Sequence, residues 1–261
     1  MKVALASLDQ KWEDKAHNLE RCRALAGRAA QLGAELVIFP EMTLTGFTMN
    51  VAVSAEDPER SESIAAFGDL ARRHQLWVIS GVVLGGAEKA ANTLVAFSPD
   101  GAERARYVKI HPFSLAGEDA CFRGGSEVAT LKVADLCLGL SICYDLRFPE
   151  LYSALAETSD VLVNIANWPK ARIAHWRILL RARAIENQAF AIGVNRTGVD
   201  GAGLEYEPSS VVVSPDGNFL TPVSSEGELE IFELRRQDLV DYRARFSTRQ
   251  DRLPELYRQL I

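Results

Sequence analysis

The chain has 261 residues, of which 29 are lysine or arginine and 35 are aspartate or glutamate, so its formal net charge is −6. Hydrophobic residues make up 48 % of the chain and charged residues 25 %, a balance that is typical of globular proteins and that excludes an intrinsically disordered chain. The acidic total argues against nucleic acid as the main partner, because phosphate binding needs clustered lysine and arginine.

Targeting and redox signals are few. The apolar run at the start of the chain is too short for a signal peptide, and no apolar stretch approaches the ~20 residues that span a bilayer. The cysteines show neither a CxxC pair nor the density of a disulfide scaffold; they are Cys22, Cys121, Cys137 and Cys143. We therefore expect a cytoplasmic protein with no membrane partner.

Hydrophobic periodicity predicts strands that alternate with helices along the chain. The predicted strands are 2–8, 35–39, 76–84, 92–98, 102–109, 136–142, 161–166, 189–195, 210–214 and 229–233. The predicted helices are 14–32, 61–74, 149–157 and 171–188. This order is typical of an α/β fold in which a mostly buried sheet is covered by helices.

The chain has no linker, repeat or low-complexity tract, so we expect one domain over residues 1–261. Residues 236–261 are rich in arginine and aspartate, and we expect them to form a polar tail that packs on a partner subunit. On the predicted helix 171–188, Arg177, Arg181 and Arg183 are interpreted as a solvated face or as contacts to a second subunit.

Motifs for nucleotides, metals and serine nucleophiles are absent. The sequence contains no Walker loop, GxGxxG after a strand, GxSxG or HExxH, and no histidine–cysteine cluster with zinc spacing. We therefore expect neither a metal nor a cofactor.

Glu41 directly follows an apolar strand in the run FPEM. A carboxylate at that edge of a sheet is partly desolvated, which raises its proton affinity and makes it a better base near neutral pH. The alternative is a capping or ion-paired glutamate.

Lys109 lies between apolar residues at the end of a hairpin strand, in the run YVKIHPF. An ammonium group in a dry pocket stabilises a developing oxyanion. The alternative is a lysine whose aliphatic stem extends to water.

Cys143 ends a buried strand shortly before a helix, in the run SICYDLRFPELY. A strand-to-helix turn presents a nucleophile outward at the edge of a sheet, and nearby N–H groups favour an anion there. The alternative is a small buried hydrophobic residue, which is how we interpret the other three cysteines.

Together, FPEM, YVKIHPF and SICYDLRFPELY resemble the Glu–Lys–Cys set of the nitrilase, or carbon–nitrogen hydrolase, superfamily. Three later runs, NWPKAR followed by HW, RARAIENQAF, and NRTG, resemble its ω-amidase branch, and the resemblance extends to about Val223. At 206–210 this chain reads YEPSS where relatives often carry a Gly-Asp-Ser type run, which leaves the exact substrate open.

The resemblance implies a four-layer αββα sandwich that dimerises through helices into an αββα–αββα assembly. It also implies amide hydrolysis through a cysteine thioester. Cys143 would be the nucleophile and Glu41 the base, with Lys109 and the Tyr144 backbone N–H at the oxyanion. Glu118 is the candidate for a second, supporting glutamate; the alternatives are Asp119 in this role and a plain solvated carboxylate in the loop.

The substrate implied by the branch is a short 2-oxo dicarboxylate monoamide, such as 2-oxoglutaramate or 2-oxosuccinamate. Its remote carboxylate needs a local cation, for which Arg172 is the first candidate and Arg147 the second. The candidates for the pocket walls are Trp168, Phe113 and Tyr144.

Other functions remain open from the sequence. Within the same chemistry they are an N-carbamoyl amine hydrolase, a deaminated-glutathione amidase and a nitrilase. A papain-like hydrolase would pair the cysteine with His111 or His175, and an inactive binding scaffold would use none of these groups.

Overall fold

The computed structural model describes residues 1–86 and 88–260, with the side chains of residues 258 and 260 left out. Its strands are β1 Lys2–Ala6, β2 Leu36–Ile38, β3 Trp77–Leu84, β4 Ala91–Phe97, β5 Glu103–Val108, β6 Ala129–Val133, β7 Leu136–Ile142, β8 Val161–Ala166, β9 Phe190–Asn195, β10 Gly198–Val199, β11 Glu205–Tyr206, β12 Val211–Val213, β13 Ser224–Glu226 and β14 Leu229–Glu233.

The α-helices of this described part are α1 Lys15–Gln31, α2 Val51–Ser54, α3 Glu62–His74, α4 Glu118–Cys121, α5 Pro149–Ala156, α6 Ile173–Asn187, α7 Arg236–Arg245 and α8 Pro254–Leu260. Short 3-10 turns lie at Ser114–Ala116, Cys143–Arg147, Lys170–Arg172 and Arg249–Asp251.

Two mixed sheets form the centre of the molecule. The first has the strand order β13-β14-β1-β2-β3-β4-β5 and the second the order β12-β9-β8-β7-β6. β1, β2 and β3 are parallel neighbours in the first sheet, as are β7, β8 and β9 in the second. The carboxyl ends of parallel strands meet at one edge of a sheet, which is where functional side chains collect.

The four layers follow from three apolar cores. One core lies between the sheets and holds residues of both, such as Leu5, Ile38, Leu140 and Ile165. α1 and α3 cover the outer face of the first sheet through a second core, and α5 and α6 cover the second sheet through a third. The predicted αββα sandwich is therefore confirmed.

Local sequence explains where several helices begin and end. The side chain of Asp14 accepts a hydrogen bond from the His17 N–H at 3.0 Å and caps α1, and Ser61 caps α3 through the Ile64 N–H at 3.1 Å. Pro149 is the first residue of α5, where its missing N–H costs nothing. α1 ends before Gly33, whose φ of +78° suits glycine.

The tail contains α7 and α8. Leu239 of α7 is buried in the core between the sheets, so α7 packs on its own chain, and packing of the tail on a partner subunit stays a prediction. The arginines of α6 differ in part from the sequence-based expectation. Arg183 is not on a solvated face: it is buried, and its guanidinium donates to the Leu146 carbonyl oxygen. The amphipathic periodicity of α6 is weak, because three arginines are spread around the helix, so the sequence did not show which one is buried.

Candidate active site

Glu41 lies in the turn that follows β2, and its side chain is fully buried. Its Oε1 accepts hydrogen bonds from Lys109 Nζ at 2.9 Å and from Asn92 Nδ2 at 2.7 Å, while its Oε2 accepts the Asn167 N–H at 2.9 Å. Three elements distant in sequence therefore contribute donors to this one carboxylate.

The turn that carries Glu41 is held from two sides. Gln10 Nε2 donates to the carbonyl oxygens of Glu41, Met42 and Thr43 at 3.0 to 3.1 Å, and Met42 has a φ of +43°. On the other side, a Cβ added at Gly81 would lie 2.4 Å from the Met42 nitrogen, so only glycine lets β3 approach the turn so closely. The tertiary structure thus fixes a strained turn that places Glu41 inward.

Lys109 directly follows β5, and its side chain is buried between two carboxylates. Its Nζ lies 2.9 Å from Glu41 Oε1 and 2.8 Å from Glu118 Oε2, and it is 5.1 Å from the centre of the Phe47 ring. Burial lowers the pKa of the ammonium group, but the charges of Glu41 and Glu118 outweigh it and raise the pKa above the usual value. Lys109 is therefore a permanent cation at neutral pH.

Glu118 opens α4 and is fully buried against the same lysine. It also accepts the Phe113 N–H at 2.6 Å and the Asn92 amide at 2.9 Å. Asp119 differs: its side chain is exposed, and its carbonyl oxygen accepts a hydrogen bond from Lys89. Of the two carboxylates considered from the sequence, only Glu118 contacts Lys109.

Cys143 lies where β7 passes into the 3-10 turn, with a φ of +45°. Its Sγ is 3.9 Å from the Asn167 carbonyl oxygen, and the N–H of the same residue donates to Glu41. Burial and the neighbouring Glu41 charge raise the pKa of the thiol well above its usual value, with Lys109 acting in the opposite direction. The resting side chain is a neutral thiol that needs a base.

Asp145 stabilises the turn after Cys143 from behind. Its buried carboxylate accepts the Ile142 N–H at 3.0 Å, the Tyr107 hydroxyl at 2.7 Å and the His111 N–H at 3.0 Å. His111 Nδ1 lies 2.8 Å from the same carboxylate. This histidine is therefore engaged with Asp145, and His175 lies beside Arg147 at 3.3 Å.

A pocket of about 310 Å³ opens above Cys143. Its walls are mainly aromatic and apolar and are formed by Trp12, Phe47, Met49, Phe113, Ala116, Tyr144, Asn167, Trp168, Pro169, Ala202, Leu204 and Tyr206, with Arg147, Arg172 and Asp200 as charged members. Of the residues predicted to contact substrate, Phe113, Tyr144, Trp168 and Arg172 line this pocket, while Glu118 lies outside its lining.

Arg147 and Arg172 bring positive charge into the wall. The guanidinium of Arg172 lies 5.5 Å from the centre of the Phe113 ring, and that of Arg147 lies 4.9 Å from the Trp168 ring. Neither forms an ion pair with a carboxylate within the described ranges. Asp200, by contrast, accepts the Tyr206 hydroxyl and two N–H groups of its own loop. The wall therefore presents two cations that are available to an anion.

Sequence reasoning missed Asn92, Gln10 and Arg183 as parts of the site. Asn92 lies inside the apolar strand β4, where its side chain is buried. The one signal in the sequence was an amide side chain within an otherwise apolar strand. Gln10 and Arg183 act on backbone oxygens of other segments, and a sequence alone does not show such contacts.

In the described part of the chain no group of three or more histidine, cysteine, aspartate or glutamate side chains is arranged to hold a metal ion. Nor is any helix of that part long and apolar enough to cross a membrane.

A family model and individual relatives assign the chain to the same protein family. Residues 2–244 match the model of the carbon-nitrogen hydrolase family. An ω-amidase YafV from Yersinia enterocolitica is 34 % identical over 94 % of each chain. A 2-oxoglutaramate amidase from Paenarthrobacter nicotinovorans is 35 % identical over 86 % of this chain and 80 % of its own. A deaminated glutathione amidase from Synechocystis is 32 % identical over 90 % of this chain and 92 % of its own.

Solved structures agree with the fold. A CN-hydrolase superfamily protein from Xanthomonas campestris, which carries an arsenic adduct in its active site, superposes with a TM-score of 0.90 at 30 % identity over 97 % of both chains. The E41Q mutant of an amidase from Nesterenkonia sp. AN1 has a TM-score of 0.86 at 27 % identity over 100 % of this chain and 97 % of its own, and that structure shows covalent addition of the acetamide moiety of fluoroacetamide at the active-site cysteine. The chain belongs to the carbon–nitrogen hydrolase family, as an ω-amidase-like hydrolase of carbon–nitrogen bonds.

Proposed function

We propose that the protein hydrolyses the terminal amide of a small 2-oxo dicarboxylate monoamide, of the 2-oxoglutaramate or 2-oxosuccinamate type, to the acid and ammonia. One observation carries this proposal: a buried Glu41–Lys109 pair lies beside Cys143 at the end of a pocket whose wall holds two guanidinium groups that have no carboxylate partner among the described residues. The buried end supplies amide hydrolysis, and the wall selects an anionic substrate.

In the first half of the reaction, Glu41 takes the proton of the Cys143 thiol as Sγ attacks the amide carbon. A base is required because the pKa of this thiol is raised. The C=O double bond opens to an oxyanion beside the Lys109 ammonium group and the N–H of Tyr144, the second residue of the 3-10 turn. The first N–H groups of a helix have no partner within it.

The oxyanion then collapses and breaks the C–N bond, and Glu41 returns its proton to the departing nitrogen, so that ammonia leaves and a thioester remains. Glu41 next removes a proton from water, whose oxygen attacks the thioester carbon. The thiolate that leaves takes the proton back. The cycle consumes one water and no other reactant, and one carboxylate serves as base and acid in both halves.

Substrate choice is assigned to the cations of the wall. Arg172 is the first candidate for the remote carboxylate and Arg147 the second, because a planar guanidinium binds a carboxylate with two hydrogen bonds. Phe113 and Trp168 hold the two guanidinium groups by ring contacts and also shape the walls, together with Tyr144. Two relatives, an ω-amidase and a 2-oxoglutaramate amidase, support this class of substrate.

The second candidate is deaminated-glutathione amidase activity. It is favoured by the relative from Synechocystis and by a wall with two cations, which suits a substrate with more than one carboxylate. N-carbamoyl amine hydrolysis and nitrile hydrolysis are the remaining candidates of the same chemistry.

Ammonia release from a substrate panel tests the proposal. The panel contains 2-oxoglutaramate, deaminated glutathione, an N-carbamoyl amine, an aliphatic nitrile, and hexanamide as a neutral amide of similar length. We expect kcat/KM for 2-oxoglutaramate to exceed that for the neutral amide by at least ~10²-fold, because a buried charged hydrogen bond is gained. If another member of the panel were hydrolysed faster, the proposed substrate class would be wrong and the class of that compound would replace it.

We also propose that the chain is one cytoplasmic domain that forms a homodimer through helices. α6 exposes Ile178 and Ile185, which are 64 % and 47 % accessible, and the tail exposes Phe246 and Leu253. The four cysteines are free thiols, as expected in a reducing compartment. Light scattering after size-exclusion chromatography tests the assembly, and a monomer at micromolar concentration would contradict it.

A further inference from the structure

Asn92 has an unusual hydrogen-bonding pattern. Its side chain is 1 % exposed, and both hydrogens of its amide are used: Nδ2 lies 2.7 Å from Glu41 Oε1 and 2.9 Å from Glu118 Oε1. Its Oδ1 is buried without any hydrogen-bond partner among the described residues. A buried carbonyl oxygen without a hydrogen bond destabilises the folded protein. An asparagine at this position therefore needs an explanation, and its two donated hydrogen bonds suggest one.

The orientation of this amide follows from the charges around it. Turning the side chain by half a rotation would point Oδ1 at two carboxylate oxygens, and the like partial charges would repel each other. The backbone is fixed as well, because the Asn92 carbonyl oxygen accepts the Lys109 N–H at 2.9 Å. β4 and the residue after β5 therefore hold the amide with its N–H groups toward the carboxylates.

Lys109 alone does not balance the cluster. One ammonium group faces two carboxylates, and the thiol of Cys143 is a further titratable group close to Glu41. Two carboxylates in a buried site repel each other and compete for the same donors. Asn92 contributes two further donors, one to each carboxylate, without adding a charge.

We propose that Asn92 is a positioning residue for catalysis: its two N–H groups link Glu41 to Glu118 and hold Glu41 as an oriented, ionised base toward Cys143. The proposal rests on the role of Glu41 given under the proposed function. Asn92 does not line the pocket, so it acts through Glu41 and not on the substrate.

Loss of this amide should affect the chemical step and its pH dependence. A donor to a carboxylate favours the charged form, and Asn92→Ala removes one such donor from each carboxylate of the cluster. We therefore expect the acid limb of kcat/KM to move to higher pH in this variant. Misplacement of the base also slows proton transfer.

The experiment compares the wild type with Asn92→Ala, using the panel amide that the wild type hydrolyses fastest. For Asn92→Ala we expect kcat to fall about 10- to 100-fold, KM to stay within about threefold, and the acid limb to move up by about one pH unit. Asn92→Ser keeps one hydroxyl donor, which cannot bond both carboxylates, and it should shift the same quantities less. If Asn92→Ala does not fold, the kinetics and the pH profile of Asn92→Ser test the proposal instead.

Asn164 provides a matched control. It is also fully buried, its Nδ2 donates to Ser141 Oγ at 3.1 Å and to Tyr152 OH at 3.0 Å, and its Oδ1 is likewise unpaired in the described residues. Its partners are hydroxyls and not carboxylates. Asn164→Ala should therefore lower Tm to a similar extent while leaving the pH profile unchanged.

Two outcomes would overturn the role of Asn92. One is a kcat and pH profile for Asn92→Ala that match those of Asn164→Ala, and the other is an effect confined to KM. Failure of the proposed function is distinguishable, because the wild type would then hydrolyse another member of the panel fastest, or Cys143→Ala would retain turnover. An inactive Cys143→Ala with a wild-type profile in Asn92→Ala would reject the positioning role alone.

Discussion

The charged groups at the buried end of the site have protein partners of opposite charge, whereas, among the described residues, the charged groups in the wall of its pocket do not. At the buried end, the Glu41 and Glu118 carboxylates and the Lys109 ammonium group all have protein partners at 2.6 to 3.1 Å. In the wall, the guanidinium groups of Arg147 and Arg172 rest on aromatic rings and have no carboxylate partner in the described part of the chain.

This difference separates two functions of one pocket. Groups that already have all their partners are held in place before substrate arrives, which suits a reaction that needs a fixed base and a fixed cation. For a cation without a carboxylate partner, binding an anionic ligand costs less free energy, because no ion pair has to be broken. The comparison predicts that changes at the buried end lower turnover of every substrate and that changes in the wall alter the choice among substrates.

The largest effect is expected at the sulfur. Cys143→Ala removes the nucleophile, and we expect turnover to fall by at least ~10⁴-fold for all amides, as loss of a nucleophile does in related acyl-transfer chemistry. Ammonia release under saturating substrate measures it. Cys121→Ala and Cys137→Ala serve as controls and should retain near wild-type turnover. An equal loss in all three variants would contradict the assignment of Cys143.

Lys109→Met is expected to affect both activity and stability. We expect kcat to fall about 10²- to 10³-fold, because an oxyanion donor is lost, and the free energy of unfolding to fall by roughly 3–5 kcal/mol, because two buried carboxylates lose their cation. Denaturant unfolding and steady-state kinetics measure the two effects.

The double variant Lys109→Met/Glu118→Gln separates these effects. Neutralising Glu118 relieves the repulsion between the carboxylates, so part of the lost stability should return while turnover stays low. If turnover returned together with stability, Lys109 would have only a structural role, and the division between the buried end and the wall would not hold.

The wall is expected to show a smaller and selective effect. Arg172→Met should lower the preference for 2-oxoglutaramate over a neutral amide by about 10- to 100-fold, with kcat for the neutral amide nearly unchanged, because one charged hydrogen-bond partner is removed. Arg147→Met is the parallel variant, and the larger loss identifies the main carboxylate ligand. Arg181→Met, on α6 outside the pocket lining, is the control. Unchanged preference in both wall variants would reject the anion-binding role.

The smallest effect on activity is expected at Glu56, a half-buried carboxylate outside the site. Burial raises its pKa, but Lys15, Ser61 and Ser63 outweigh burial and lower the pKa from 4.5 to about 2. Its contribution to stability is therefore present above about pH 4.5 and is lost as the pH falls toward 2. Glu56→Gln should be less stable than the wild type at pH 7, the gap should narrow below pH 4.5, and turnover at pH 7 should not change. A loss of turnover would show that the reacting cluster extends beyond the pocket.

Local sequence patterns predicted ten strands and four helices in the correct order and placed Glu41, Lys109 and Cys143 at the ends of strands. Strand and helix order was readable because periodicities of two and 3.6 residues record which face of each element is buried. The strands β6, β10, β11 and β13 and the helices α2, α4, α7 and α8 were not predicted. Segments of two to four residues and polar helices carry no clear period, and β6 was missed although apolar and polar residues alternate along it.

The connections among those three residues depend on how distant segments pack together. Asn92 and Asn167 link segments that lie as much as 126 positions apart, and a contact between distant segments leaves no local pattern in either. The choice of Glu118 over Asp119 was decided in the same way, since neighbouring carboxylates in a loop are equivalent until packing buries one of them beside Lys109. Local sequence sets where an element begins and ends, whereas the partners of a buried charge are set by which elements pack together.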